Sequence, residues 1–275
     1  MIHRSIGFLA LAVLVMAPQA ASAQSLVGVL GITQEVAPIE KKLEDSREVV
    51  VQGYVFHVGT LKGRPVVVGR SGPGKVNAAI VATLLIGHFS PSALFFSGTA
   101  GALDPALRPG DVVIGETVAQ HDVGLQTPDG ITRRGPRNAL TGEFDPLLIP
   151  APDLLLAAAR RSAEGLTLPA ATTPEGDHVP RIVEGVIVTG DVFMSDSSHR
   201  EELRSSLGAS AIEMEGAAFI QTCRQFGVPC LVVRSVTDRA DTQALTNYQK
   251  FVGTASENAA ALVTAIIGQL GSGTP

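Results

Sequence analysis

Seven apolar runs, at 26–32, 65–70, 93–97, 111–118, 185–189, 211–214 and 231–236, are rich in Val, Ile, Leu and Ala and read as β-strands. Several are continuous rather than alternating, the pattern of strands covered on both faces. Between them lie stretches with helical periodicity, at 35–44, 75–88, 152–163, 216–226 and from 248 to about 270. Alternation of the two kinds predicts an α/β layer fold, not a bundle or a sandwich. Two stretches break the pattern, 125–151 and 170–180, and read as long loops of the kind that form lids or binding segments. No repeat and no domain boundary interrupts residues 24–275, which read as one domain with a frayed tail at 271–275.

The first 23 residues stand apart. Arg4 supplies a positive start, 6–16 is an apolar run too short to span a bilayer, and Ala21-Ser22-Ala23 offers a cleavage site. The expectation is a signal peptide at 1–23 and a mature chain that is periplasmic or secreted. No later stretch reads as both long and apolar enough to cross a membrane. The formal net charge of −5 becomes one unit more negative without Arg4, and no basic patch is present, which argues against nucleic acid as a partner. There are 2 cysteines. Cys223 falls in a helical pattern and Cys230 opens a strand, so two buried thiols are the expectation, with a disulfide as the alternative.

Gly69-Arg70-Ser71-Gly72-Pro73-Gly74-Lys75 matches a phosphate loop, but Val76 stands where Ser or Thr must hold magnesium. What survives is Gly-rich backbone around Pro73 at a helix start, presenting N–H groups to something polar: a ribose hydroxyl, a water or an anion. Gly98-Thr99-Ala100-Gly101 lets backbone approach a ligand after a buried strand. Ile212-Glu213-Met214-Glu215 places two acids at a strand end, and alternation puts Glu213 and Glu215 on one side with Met214 opposite. Thr237-Asp238 leaves an acid at the end of another apolar strand, and Glu35 follows the first strand. Each acid alone could be a helix cap. Three strands delivering carboxylates at their C-terminal ends, where ligands of open α/β sheets gather, point to a site. His121-Asp122 reads as strand-end capping, since no further metal ligands accompany it.

With these residues in view, the blocks 28–36, 71–76, 97–103, 109–113, 188–193, 213–217 and 234–241 resemble the nucleoside phosphorylase/nucleosidase family. The closest likeness is to the 5'-methylthioadenosine/S-adenosylhomocysteine nucleosidases, over most of residues 24–275 and in the family order. The resemblance implies a three-layer α/β/α fold with a central mixed, partly barrel-like sheet. It implies hydrolysis of the N-glycosidic bond of adenine nucleosides to free adenine and the ribosyl product, without cofactor or metal. It further implies that Glu35 is the base that activates water against C1', and Asp238 the acid that protonates N7. Glu215 would bind ribose hydroxyls with Met214 beside the sugar, Phe193 would stack on the base, and the backbone of Met194 would read the purine edge. Thr99 and Gly101 would line the pocket, Thr237 would support Asp238, and Tyr248 would lie near the 5' substituent. A homodimer is the implied assembly.

The chemistry agrees with the residue types. Breaking C1'–N9 develops positive charge on the sugar and negative charge on the purine, and crowded carboxylates can divide into a protonated acid and an ionised base. The first loop, Gly31-Ile32-Thr33-Gln34-Glu35, carries an acid and no cation, which favours water over phosphate. Arg70 and Arg234 are the cations nearest the motifs, and either reads equally as a structural ion pair. Two rivals remain open: a phosphorylase of the same fold, and an exported nucleoside-binding or storage protein without catalysis. The chain departs from the nucleosidases after His121-Asp122, where Thr127-Pro128-Asp129-Gly130 and the arginines Arg133, Arg134 and Arg137 replace the aromatic segment that helps build the 5' side. The 5' substituent is therefore left open, with a solvated loop or an anion-binding loop as the two readings of the arginines.

Overall fold

The computed structural model describes residues 25–173 and 176–270; the signal peptide expected at 1–23 and the tail at 271–275 lie outside the described residues. In chain order, β1 (Val27–Ile32) leads to α1 (Thr33–Glu40) and then to β2 (Glu44–Val51), β3 (Tyr54–Leu61) and β4 (Arg64–Ser71). After α2 (Lys75–Phe89) come β5 (Ala93–Ala102), β6 (Val112–Gln120), the hairpin of β7 (Gly124–Thr127) and β8 (Gly130–Arg133), β9 (Ile149–Pro150) and α3 (Asp153–Glu164). The rest is β10 (Ala171–Thr173), β11 (Gly176–His178), β12 (Ile182–Thr189), α4 (Ser197–Leu207), β13 (Ala209–Glu213), α5 (Gly216–Phe226), β14 (Cys230–Asp238) and α6 (Ala244–Gln269).

The main sheet runs β13-β12-β6-β14-β5-β1-β4-β3-β2, with β9 added on β6. β13 also meets β5 antiparallel, at Ala211↔Ala102 and Ile212↔Gly101. That pairing closes β5, β14, β6, β12 and β13 into a five-stranded mixed barrel, and the remaining strands fan out from it as an open sheet. β5 serves both parts: its start pairs with β1 and its glycine-rich end with β13. All ten residues of β5 and all nine of β14 are buried, as their unbroken apolar runs require of strands covered on both sides. One cover is α1, α3 and α6, whose Val36, Leu155 and Val263 pack on Val29, Phe95 and Val233. The other is α2 and α5, whose Leu85 and Phe219 pack on Leu94, Phe96 and Val232. The expected three-layer α/β/α fold with a partly barrel-like mixed sheet is what forms.

Four differences from the sequence expectations have physical reasons. Residues 44–61, which the sequence reading left unassigned beyond a helix end at Glu44, form a β-hairpin, because Gln52-Gly53 takes positive φ at both positions, the turn whose twist matches antiparallel strands. Lys62-Gly63 does the same between β3 and β4. The loop-like stretches 125–151 and 170–180 contain short paired strands, and α4 appears where no helix was read, capped by the Asp196 side chain and by Gly208 at φ 65°. α6 is apolar and long enough, at 26 residues, to cross a membrane by length and composition, contrary to the sequence reading; 61% of its most apolar window is buried, since it packs along β5 and β14 as a core helix.

Cys223 and Cys230 are joined in a disulfide and not left as thiols, because the turn from α5 into β14 brings their Cα atoms to 6.2 Å. The bond ties the end of the helix that starts beside Glu215 to the start of the strand that ends at Asp238. Replacing both cysteines by Ala is expected to lower the unfolding free energy by about 2–3 kcal/mol, the loop-entropy value for so short a closed loop. Denaturant midpoints of the oxidised protein and the variant check this; equal midpoints would remove the covalent contribution.

Candidate active site

One cavity of about 250 Å³ opens where the barrel meets the open sheet, a size suited to a single nucleoside-sized molecule. All twelve residues singled out in the sequence line it: Glu35, Pro73, Thr99, Gly101, Phe193, Met194, Glu213, Met214, Glu215, Thr237, Asp238 and Tyr248. Ile32, Ala100, Val192, Ile212 and Leu245 line it too and were not anticipated. Their only signal was adjacency to the motifs.

Glu35 sits in the first turn of α1 with one oxygen committed and one not. Oε1 accepts from the Thr99 N–H at 3.0 Å and from the Thr99 hydroxyl at 2.5 Å. Oε2 has no hydrogen-bond partner among the described residues and lies 3.7 Å from Nη1 of Arg234. Gly98 makes this approach possible: a Cβ there would overlap Arg234 Nη1 and stand 2.5 Å from Glu35 Oε2. Burial pushes the Glu35 carboxyl above its ordinary range, against the opposing pull of Arg234 and Thr99.

Asp238 reaches the cavity through a break in register. β14 follows β5 from Cys230↔Leu94 to Val236↔Ala100, then skips to Asp238↔Gly101, so Thr237 is bulged out. A bulge at a strand end re-aims the next side chain, and here it turns Asp238 into the cavity. Its Oδ2 accepts from the Thr237 hydroxyl at 2.7 Å and its Oδ1 from the Ala240 N–H at 2.8 Å. Burial again raises the acid, outweighing these two donors.

Glu213 and Glu215 converge, though not by strand alternation. β13 ends at Glu213, and Glu215 occupies the position before α5, so the chain turns between them and Met214 faces the cavity as well. Glu213 accepts from the Thr189 hydroxyl, from Arg234 Nη2, and from the N–H groups of Glu215 and Gly216 at 3.1 and 2.7 Å. That set of donors suits a carboxylate anion. Glu215 has less support. Its Oε1 accepts from Gly74 N–H at 2.8 Å and its Oε2 lies 3.3 Å from Arg234 Nη2. Burial lifts its pKa from 4.5 to about 7, with Arg234 opposing and Glu213 adding to the rise.

The glycine-rich loop thus serves a protein anion. Gly74 N–H points at Glu215, while Lys75 gives its N–H to Asp191 and its ammonium to Asp122 at 2.7 Å. Arg70 is spent on Glu40 in a two-point pair. Asp122 also accepts from Asp191 N–H, and neither it nor His121 lines the cavity. Arg133 is paired with Glu202, and Arg134 and Arg137 stack over Phe144. No residue of 124–148 lines this chain's cavity among the described residues.

Arg234 is the group whose importance the sequence understated. It is 0% exposed, faces Glu35, Glu213 and Glu215 together, and lies 4.6 Å over the Phe96 ring. The remaining lining is a half-open aromatic rim, with Phe193 and Tyr248 edge to face at 5.8 Å.

The family described as Phosphorylase superfamily matches residues 26–268. The 5'-methylthioadenosine/S-adenosylhomocysteine nucleosidase of Halalkalibacterium halodurans is 35% identical over 247 residues, covering 89% of this chain and 99% of the relative. The crystal structure of the same-named nucleosidase from Colwellia psychrerythraea, in complex with adenine, superposes with TM-score 0.76 at 32% identity, covering 90% of this chain and 96% of that one. The futalosine hydrolase of Helicobacter pylori superposes as well, with TM-score 0.75 at 29% identity over 91% of this chain and 100% of that one.

Two outcomes follow from the buried charges. Arg234→Ala leaves three buried acids without their cation and is expected to cost about 3–5 kcal/mol of stability, read from denaturant midpoints; a loss below about 1 kcal/mol would show that the acids neutralise one another unaided. Because the folded pKa of Glu215 is raised, the stability linked to it is complete below pH 4.5 and is lost as pH rises through about 7. Glu215→Gln is therefore expected to gain in melting temperature relative to wild type as pH rises across that window, and a constant difference would contradict it.

Proposed function

The chain belongs to the phosphorylase superfamily, and on that premise we propose that it hydrolyses the N-glycosidic bond of adenine nucleosides such as 5'-methylthioadenosine or S-adenosylhomocysteine. The products are free adenine and the ribosyl moiety. One observation carries the choice of water over phosphate: among the described residues, no Lys, Arg or His lines the cavity, while four acids do. Phosphate would meet the carboxyl groups of Glu35 and Glu215 with no cation open to it, since Arg234 is fully buried among its acids.

The geometry supports these roles. Asp238, kept protonable by burial, donates its proton to N7 of the purine as the C1'–N9 bond breaks, so adenine leaves neutral. The Glu35 carboxylate takes a proton from water as the water oxygen bonds to C1'. Its raised pKa makes it a stronger base than an exposed carboxylate. Glu215 receives the ribose hydroxyls, with Gly74 N–H and Arg234 holding it in place, and Met214 packs beside the sugar. Phe193 offers its face to the base, and Met194 lies next to it for backbone contact with the purine edge. Thr99 and Thr237 hold the base and the acid, and Gly101 leaves room for Asp238, whose Oδ1 would be 2.9 Å from a Cβ there.

The signal peptide expected at 1–23 and the Cys223–Cys230 disulfide support action outside the cytoplasm, where thiols oxidise and where nucleosides are available for salvage. Exposed Val76 and Ile80, one turn apart on α2, support a homodimer that covers them.

The test is product analysis. Adenine and a free ribosyl product are expected at equal rates with and without phosphate; a strict phosphate requirement with ribose 1-phosphate formed would make the protein a phosphorylase. Glu35→Gln and Asp238→Asn are each expected to lower kcat by roughly 10²–10⁴. Undiminished turnover in both would favour a binding protein with trace activity from elsewhere.

A further inference from the structure

The segment that carries Phe193 has little of its own to hold it. Residues 190–196 join β12 to α4 without regular structure. Val192 and Phe193 are 65% and 41% exposed, so packing does little to fix them, yet the Phe193 ring lines the cavity. The two ends are tied: Gly190 N–H donates to the Glu213 carbonyl at 3.1 Å, and the Ser195 hydroxyl donates to the Asp241 carbonyl at 3.0 Å. Between them lies Asp191, two residues before Phe193 and outside the cavity lining. Its Oδ1 accepts from the Lys75 N–H at 2.8 Å, and its own N–H donates to Oδ2 of Asp122. Asp122 takes the Lys75 ammonium on Oδ1 at 2.7 Å. Three hydrogen bonds thus form a closed ring that joins α2, the turn after β6 and the Phe193 segment. Burial opposes ionisation of Asp122, but the Lys75 ammonium and the Asp191 N–H outweigh it and hold the carboxyl below its usual range.

Gly74 links this ring to the sugar side of the cavity. Its N–H donates to Glu215 Oε1 at 2.8 Å, one residue before the N–H that holds Asp191. A Cβ at Gly74, where φ is 95°, would stand 3.1 Å from Asp191 Oδ1, so the close seat needs glycine. Consecutive N–H groups at the start of α2, the positive end of its dipole, therefore hold two carboxyl groups. One belongs to the acid read as the ribose binder and the other to the segment that carries the aromatic ring. The spacing between the two sides is set by a single peptide unit.

We propose that Asp191 is a positioning residue for base binding: through the Lys75 N–H and Asp122 it locks the Phe193 segment in the conformation that presents the ring to the purine. The inference rests on the reading of Phe193 as the platform for the base. Without the lock the segment samples other conformations, and apparent affinity falls with the fraction of time the ring is in place. The base stays stacked before and during bond breaking, so the loss falls on KM and leaves kcat nearly unchanged.

The experiment is a cycle of Asp191→Ala, Phe193→Ala and the double variant, read as the dissociation constant of adenine by calorimetry and as KM and kcat for 5'-methylthioadenosine. Each single variant is expected to weaken adenine by about 10-fold, and the double variant by no more than about 2-fold beyond the weaker single, since both act through one ring. Asp191→Asn keeps an acceptor for the Lys75 N–H and is expected to bind adenine within about 2-fold of wild type. For Asp191→Ala, KM is expected to rise about 10-fold with kcat within about 2-fold of wild type. Wild-type affinity in Asp191→Ala, losses that multiply in the double variant, an Asp191→Asn as weak as Asp191→Ala, or a fall in kcat at constant KM would each overturn the inference. Undiminished adenine binding in Phe193→Ala would instead remove the platform, and the inference with it. The adenine measurements read the lock without turnover, so a failure to release adenine from the nucleoside would count against the nucleosidase reading alone.

Discussion

One buried guanidinium holds the site together. Arg234 lies beneath the cavity with Glu35, Glu213 and Glu215 around it and the Phe96 ring against its face. One positive charge cannot balance three ionised acids away from water, so the acids must differ in protonation. Glu213 takes most of the donors, which leaves Glu215 and Glu35 as the carboxyls displaced upward by burial. The unequal chemistry of similar side chains thus comes from who is nearest the cation and the backbone N–H groups. The same arrangement keeps the Arg234 charge away from any bound anion.

The fold is what lets that cluster exist. Glu35 comes from the start of α1, Arg234 and Asp238 from β14, and Glu213 and Glu215 from the junction of β13 and α5. β5 lies between them, and Gly98 and Gly101 on it leave the room that Arg234, Glu35 and Asp238 occupy. Closing the barrel through β13 and β5 brings the Glu213 segment to within reach of Arg234, and the bulge at Thr237 turns Asp238 inward. The glycine-rich turn before α2 completes the set by pointing Gly74 N–H at Glu215.

Much of this was legible in the sequence, and what was not had a consistent cause. Unbroken apolar runs marked β5 and β14 because burial on both faces leaves no polar alternation to confuse the reading. The acids were visible because each follows such a run. The β2–β3 hairpin was hidden because β2 is a charged, exposed outer strand whose sequence mixes Glu, Asp and Arg, and its turn uses Gln52-Gly53, not a more familiar pair. α4 was overlooked although Asp196 and Gly208 are ordinary cap residues, since its body is polar nearly all round. Arg234 was legible only as a cation near the motifs that could form an ion pair, not as the centre of three acids, and the hydrogen bond from Gln34 Nε2 to the Tyr248 hydroxyl could not be read at all. Both depend on residues that only the closed sheet and the long C-terminal helix bring together, and the second spans 214 positions. The disulfide was undecided for the same reason, a turn geometry that spacing alone does not specify.

The disulfide also changes what a break in the chain would mean. Phe226 is exposed at the end of α5 and Gly227 turns there with φ 68°, the sort of site where proteases cut. A cut between Cys223 and Cys230 would place Glu215 on one fragment and Asp238 on the other. The two would stay covalently joined, with each piece still anchored in the same barrel. In surroundings with free proteases, the enzyme would carry such a cut as a scar and go on working as two chains.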